Sequence, residues 1–159
     1  MDNNDIRILE ALQEDASRKL EDLARIVHLA PSSIHDRLRR LQQEGVIRRW
    51  TVDVEYSALG LNVEAFIGIN ASSPCSEVVR QLAAIPAIET CHSVAGTLSL
   101  LLQVRVANPS DLMTLTETLR AIPGIESTET TIVLKTHLDR PVKSPPLTST
   151  SKPGRRNGK

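Results

Sequence analysis

Five arginines crowd into residues 31–50: Arg37, Arg39, Arg40, Arg48 and Arg49, opposed there only by Asp36 and Glu44. Guanidinium groups at this density, with Ser32, Ser33 and His35 just ahead of them, can hydrogen-bond phosphate oxygens and base edges. Other chemistry-bearing side chains are scattered. His28, His35, His92 and His137 show no H-x-x-x-H spacing, so no metal site is expected. Cys91 and His92 are neighbours on a predicted strand and point to opposite faces, which prevents a thiolate–imidazole pair. No GxSxG, P-loop or GxGxxG stretch occurs. Catalytic residues and a resident cofactor are therefore not expected. Cys75 and Cys91 form no CxxC pair and read as buried thiols of a reducing cytosol.

The whole chain of 159 residues is balanced, with 19 basic and 19 acidic groups, but the balance is local. Residues 1–60 carry 9 basic and 11 acidic groups, residues 61–140 carry 5 and 8, and residues 141–159 carry 5 and none. An acidic protein with one basic stripe and one basic tail fits an anionic partner. Hydrophobic residues make up 40%, enough for a core. No apolar run nears the ~20 residues of a membrane span. The acidic start Met1-Asp2-Asn3-Asn4-Asp5 is unlike a secretory signal, so a cytoplasmic protein without a membrane partner is expected.

The arginines need a rigid element to carry them. Ile6, Leu9 and Leu12 mark a helix over 2–15, capped by Asp2 or Asn3, and residues 20–27 form a second, short helix. After the break at His28-Leu29-Ala30, Pro31 opens a third helix that runs to Glu44 and is stopped by Gly45. On this helix Ile34, Leu38 and Leu41 share one face, and Ser32, Asp36, Arg39 and Gln43 lie opposite. Two short helices around a tight turn read as helix-turn-helix, and the polar face of the third helix suits the major groove of double-stranded DNA. Ser32, Ser33, His35 and Asp36 are expected at base edges. Arg39 and Arg40 are expected at bases or phosphates, and Arg48 and Arg49 at the backbone. Arg37 borders the core and should reach a phosphate or an acidic neighbour. Val46–Val54 alternates like a strand, giving a winged-helix-like domain over 1–54.

A connector, 55–61, precedes an internal repeat. Ala84-Ile85-Pro86-Ala87-Ile88-Glu89-Thr90 returns as Ala121-Ile122-Pro123-Gly124-Ile125-Glu126-Ser127. Helices at 75–85 and 109–121 precede the two copies, and strands are expected at 62–71, 88–95, 98–107 and 125–137. The order βαββαβ is the ferredoxin-like plan, so the fold class is α+β with a second domain over 62–140. Leu98, Leu100, Leu101 and Leu102 put leucine on both faces of one strand, which predicts a homodimer through an apolar sheet face. The same plan serves RNA-recognition domains, but those stack bases on central-strand aromatics. Here Trp50, Tyr56 and Phe66 are the only aromatics and none lies in 98–107, so RNA binding is not expected. Residues 141–159, rich in Pro, Ser, Thr and Lys/Arg, read as a disordered basic tail.

Taken together, several stretches resemble the Lrp/AsnC (feast/famine) transcription regulators. They are Asp2…Asp5-Ile6-Arg7-Ile8-Leu9, Pro31-Ser32-Ser33-Ile34…Arg37-Leu38-Arg39-Arg40-Leu41…Glu44-Gly45-Val46-Ile47, Cys91-His92-Ser93-Val94-Ala95-Gly96, and Ile122-Pro123-Gly124-Ile125…Thr128…Thr130…Val133-Leu134. The resemblance implies a DNA-binding domain joined to a ligand-sensing domain, dimers that often build octamers, and modulation by an amino acid or related small molecule. It places the effector loop at Gly96, Thr97, Leu98 and Ser99.

The departures are informative. His28 stands where the family has a turn glycine, and Lys19 and Ala30 stand where it has Ser or Thr caps, which predicts a DNA-binding domain of modest stability. The effector loop lacks the carboxylates of the family's Gly-Asp-aromatic-Asp, so nothing in it can pair with an effector's ammonium group. Two rival readings are a sensing module that binds no DNA and a sirohaem-decarboxylase-like enzyme. The latter needs His, Tyr and Arg around a tetrapyrrole, and residues 92–106 offer only His92 and Arg105.

Overall fold

The computed structural model describes residues 1–72 and 75–140, so the basic tail at 141–159 lies outside the described residues. The chain divides into two units, one holding Met1–Val52 and the other Asp53–Leu138.

The first unit contains helices α1 (Asn3–Glu14), α2 (Leu20–Val27) and α3 (Pro31–Gln43). Their apolar stripes meet in a small core of Ile8, Ala11, Leu23, Ala24, Val27 and Ile34. α1 starts with a reciprocal cap. The Asp5 N–H donates to Asp2 Oδ1 at 2.9 Å, and the Asp2 N–H donates to Asp5 Oδ2 at 2.7 Å. α2 and α3 begin on Lys19 and Ala30, neither of which supplies a side-chain cap. α2 ends on His28 in the left-handed region, φ 57°, where the Leu29 N–H closes the turn onto the Ala24 carbonyl. Gly45, φ 72°, ends the third helix in the same way.

The expected strand Val46–Val54 does not form, and residues 46–54 carry no ladder. The Ile47 N–H instead returns to the Leu41 carbonyl at 3.0 Å. Alternation gives a segment two faces, but a strand also needs a second strand for its backbone groups, and this unit has none among the described residues.

In the second unit a 3₁₀ turn (Tyr56–Leu59) leads into β1 (Val63–Ala71), α4 (Cys75–Leu82), β2 (Ile88–Ser93), β3 (Leu100–Val106), α5 (Pro109–Arg120) and β4 (Ile125–Ile132). The sheet is antiparallel in the order β2-β3-β1-β4, the ferredoxin-like arrangement. Alternate residues of β1 (Ala65, Ile67, Ile69) and β3 (Leu100, Leu102, Val104, Val106) pack onto Val78 and Leu82 of α4 and Leu112, Leu115 and Leu119 of α5. The sequence repeat is a structural repeat. The Ile88 N–H bonds the Ile85 carbonyl and the Ile125 N–H bonds the Ile122 carbonyl, both at 3.1 Å, each turn having proline second. β4 is shorter than the expected 125–137, because the Val133 N–H still reaches Glu64 O but β1 begins at Val63 and offers no further partner.

The sheet face away from the helices is split. Around Gly68 it carries an apolar patch, where Phe66 is 37% exposed, Leu101 is half-buried and the Leu98 side chain lies over Gly68, bordered in register by the exposed His92 and Glu129. A methyl on Gly68 would sit 2.6 Å from Leu98 Cδ1. Toward the other end Arg105 bridges Glu64 (3.2 Å) and Glu89 (2.6 Å), with Tyr56 stacked 4.0 Å from its guanidinium carbon.

The turn geometry of the first unit is testable. His28→Gly should stabilise it by roughly 0.5–1 kcal/mol, since glycine adopts φ > 0 without the Cβ penalty. Ala30→Ser should add about 1 kcal/mol through a restored cap. Thermal melts followed by the fluorescence of Trp50, the single tryptophan, report both changes. An unchanged or lowered midpoint for either variant would contradict the strain or the missing cap.

Candidate nucleic-acid interface

α3 buries Ile34 and Leu41 completely and leaves its opposite face bare. Ser32, His35, Asp36, Arg39 and Gln43 are exposed, and Ser33 is half-buried at the edge. His35 Nδ1 is 3.8 Å from Asp36 Oδ1, too far for a hydrogen bond, so both polar ends stay available to a partner. Arg39 makes no ion pair among the described residues. Arg48 and Arg49 are likewise exposed and unpaired. They sit on the 46–51 segment that, with Leu9, Leu12 and Gln13 of α1 and Ala16 just beyond it, lines a groove of about 340 Å³.

The remaining two arginines are engaged within the protein. The i, i+4 pair that Asp36 and Arg40 could form is not made. Arg40 Nη2 instead donates to Asp5 Oδ2 at 2.6 Å, with Glu44 Oε1 3.9 Å from its Nε. Arg37 Nη1 lies between Asp5 Oδ1 (2.6 Å) and Asp2 Oδ2 (2.7 Å). Asp5 is fully buried, whereas the Arg37 and Arg40 side chains are 24% and 44% exposed. Arg37 therefore takes the acidic neighbours as its partners, the second of the two roles open to it in sequence. Asp5 is the residue that sequence reasoning missed. Its signal was present in the Asp2-x-x-Asp5 cap, but its partners lie 32 and 35 residues away.

Two further arginines serve the helix ends. Arg7 Nη2 donates to Ile26 O at 2.5 Å and Arg18 Nε to Ala11 O at 3.1 Å.

Burial pushes the Asp5 carboxyl up. The Asp2 N–H and the Arg37 guanidinium outweigh it, with Arg40 assisting, and the group titrates below its ordinary 3.8. Arg37 and the Asp5 N–H hold the Asp2 carboxyl below the same value. Asp2 and then Asp5 in turn hold the Arg37 guanidinium above its ordinary range.

In the second unit the loop Gly96–Ser99 is partly committed to structure. Ser99 N–H donates to Ile69 O at 2.9 Å, Ser99 Oγ accepts from the Ala71 N–H at 3.2 Å, and Leu98 covers Gly68. Gly96 and Thr97 stand exposed, and residues 94–99 contain no carboxylate. Cys91 pairs in register with Leu102 and packs on the core, while His92 pairs with Leu101 on the other face. Arg105 is enclosed by Glu64, Glu89 and Tyr56. The groups a tetrapyrrole enzyme would use are thus separated or already satisfied. Among the described residues no three His, Cys, Asp or Glu side chains form a metal-binding group, and no helix is long and apolar enough to cross a membrane.

Comparison with known proteins gives both units a counterpart. Residues 1–48 match the winged helix-turn-helix DNA-binding family, and residues 64–142 match the Lrp/AsnC ligand binding domain. The HTH-type transcriptional regulator FL11 of Pyrococcus horikoshii is 36% identical over 138 residues, covering 86% of this chain and 91% of its own. The structure of Escherichia coli AsnC aligns with a TM-score of 0.83 at 31% identity, over 91% of this chain and 99% of that one. The Neisseria meningitidis regulator NMB0573, solved as an L-Met complex, has the same fold, with a TM-score of 0.84 at 23% identity over 91% and 96% of the two chains.

The carboxylate cluster fixes how the first unit responds to acid. Both aspartates have depressed values when folded, so their stabilisation is complete above about pH 4 and is lost as pH falls through the folded values. Trp50-detected melts should hold steady from neutral pH to about pH 5 and drop between there and about pH 2. Asp5→Asn should flatten that drop and lower stability at neutral pH by about 2 kcal/mol, because two guanidiniums lose a buried partner. A pH response that survives Asp5→Asn unchanged would place its origin elsewhere.

Proposed function

Because the chain belongs to the Lrp/AsnC family of transcriptional regulators, and so is a DNA-binding regulator, we propose how its own residues carry that role. α3 lies along the major groove with Ser32, Ser33, His35 and Asp36 toward base edges. Arg39, Arg40, Arg48 and Arg49 neutralise phosphates on either side. The observation that carries this reading is the bare polar face of α3 with Arg39 unpaired on it, opposite a face buried to completion. The missing side-chain cap at Ala30 leaves the first N–H groups of α3 open to a phosphate as well.

The protein works as a homodimer. The apolar patch on the outer sheet face, around Phe66, Leu98 and Leu101, is what a second copy covers, and a two-fold axis there pairs two reading helices on a pseudo-palindromic site. Higher assembly of such dimers follows the same logic. The second unit matches a ligand-binding domain, which supports a small-molecule effector. The N–H groups of Gly96, Thr97 and Leu98 make no backbone hydrogen bond among the described residues and suit a ligand carboxylate. With no carboxylate in the loop, the effector's recognition there does not rest on an ion-paired ammonium. A DNA-binding role fits a cytoplasmic protein.

Duplexes selected by the protein from genomic fragments at ~150 mM salt supply the probe, since non-specific phosphate binding is already weakened there. Arg39→Ala with Arg49→Ala should lower affinity by at least about tenfold and flatten the log–log salt slope by about one per lost contact. Unchanged binding would remove α3 from the duplex. Separately, Leu101→Glu should convert the dimer to monomer in sedimentation, and a dimer that persists would move the interface off this sheet face.

A further inference from the structure

The cluster that joins the start of α1 to α3 has more to do than hold the unit together. Among the described residues, Arg37 and Arg40 are the two of the five arginines at 31–50 fixed by carboxylates remote in sequence, and both converge on the buried Asp5. The two are left in different states. Arg37 donates from one nitrogen to both Asp5 and Asp2, and its side chain is mostly covered. Arg40 gives a single Nη2 hydrogen bond to Asp5 and remains 44% exposed, with Nη1 and Nε free of hydrogen bonds among the described residues. A guanidinium carries five N–H donors, so most of those on Arg40 stay open while the group is held in place.

We propose that Asp5 is a positioning residue for DNA binding: it clamps the Arg40 guanidinium at the edge of the reading helix as a pre-oriented phosphate donor, and it withdraws Arg37 from the duplex as the strut that braces the clamp. This rests on α3 being the duplex-facing helix. A free arginine loses rotamer freedom when it grips a phosphate, and a clamped one has already lost it. The clamp is also geometric. Lysine preserves the charge of Arg40 but has no planar fork to bond Asp5 on one side and a phosphate on the other.

The test uses the full-length protein and a mixed-sequence duplex of about 40 base pairs, titrated by fluorescence anisotropy between about 50 and 200 mM KCl. Asp5→Asn should weaken binding about tenfold at the low-salt end. Tighter binding with a salt slope steeper by about one would show that Asp5 withholds Arg40 rather than positioning it, and would overturn the proposal. If Asp5→Asn fails to fold, Arg40→Lys decides the matter, since it leaves Asp5 a cationic partner. Positioning predicts a loss of about tenfold with the salt slope retained, whereas binding equal to that of the unmodified protein overturns it. Arg39→Ala, run beside them, reports on the helix itself. Weakening there with Arg40→Lys unchanged sinks the clamp alone, and no change in either variant sinks the clamp and the helix assignment together.

Discussion

The first unit depends on one buried carboxylate. Three short helices with a core of six fully or nearly fully buried apolar residues cannot fix their own angles firmly. Asp5 supplies the missing constraint. It caps α1 through the Asp2 N–H and at the same time bonds two guanidiniums of α3, so the first and third helices share a single set of hydrogen bonds. A lone buried acid would be costly, but here both oxygens are satisfied by charged or backbone donors, and the carboxylate is held ionised. α3 is therefore anchored at its middle, through Arg37 and Arg40, while its first turn carries no side-chain cap. That division suits a helix whose first turn must meet another molecule.

What the sequence disclosed and what it hid follow from the range of the interactions. The helices were legible because Ile34, Leu38 and Leu41, or Leu112, Leu115 and Leu119, recur at helical spacing, and periodicity is a local property. The βαββαβ order was legible because the Ile-Pro-x-Ile-Glu repeat marks the same turn twice. Residues 46–54 misled because their alternation is also local, whereas a ladder is not. Of the site, the exposed face of α3 and its unpaired Arg39 could be read from the wheel. The engagement of Arg37 and Arg40 by Asp5 could not, because composition does not say which acid closes on which base across more than thirty residues.

The outer sheet face shows the same limit. Four leucines near the start of β3 announced a second apolar face, and what forms is an apolar patch bordered by His92 and Glu129, with Leu98 lying in the space left by the absent Cβ of Gly68. Toward one end the face is closed by Arg105, held between Glu64 and Glu89 and roofed by Tyr56 from the connector. Side-chain exposures of 15%, 20% and 25% for Arg105, Glu64 and Glu89 mark a cluster satisfied within its own unit. A second copy could meet such a face only where it is apolar, since removing the ion cluster further from water brings desolvation without new partners. The charged end would thus set the limit of such an apolar contact and help fix its register.

Charge counting shows what the proposed dimer would add. Residues 1–52 hold nine basic and nine acidic groups. Arg18, Arg25, Arg37 and Arg40 are ion-paired within the unit, and Arg7 is bonded to a helix carbonyl. That leaves Lys19, Arg39, Arg48 and Arg49 without an internal ion pair, joined by the open side of Arg40. Four or five phosphate contacts per unit give a salt slope of only about −4, a weak hold at physiological ionic strength. Two DNA-binding units held by the proposed sheet interface would double the contacts and turn the second docking into an intramolecular event at roughly millimolar effective concentration. The acidic remainder of the unit then discourages random binding, and affinity accrues only where two sites stand at the separation the dimer imposes. On this arithmetic the sheet face of the second unit would contribute as much to DNA recognition as the arginines of the first.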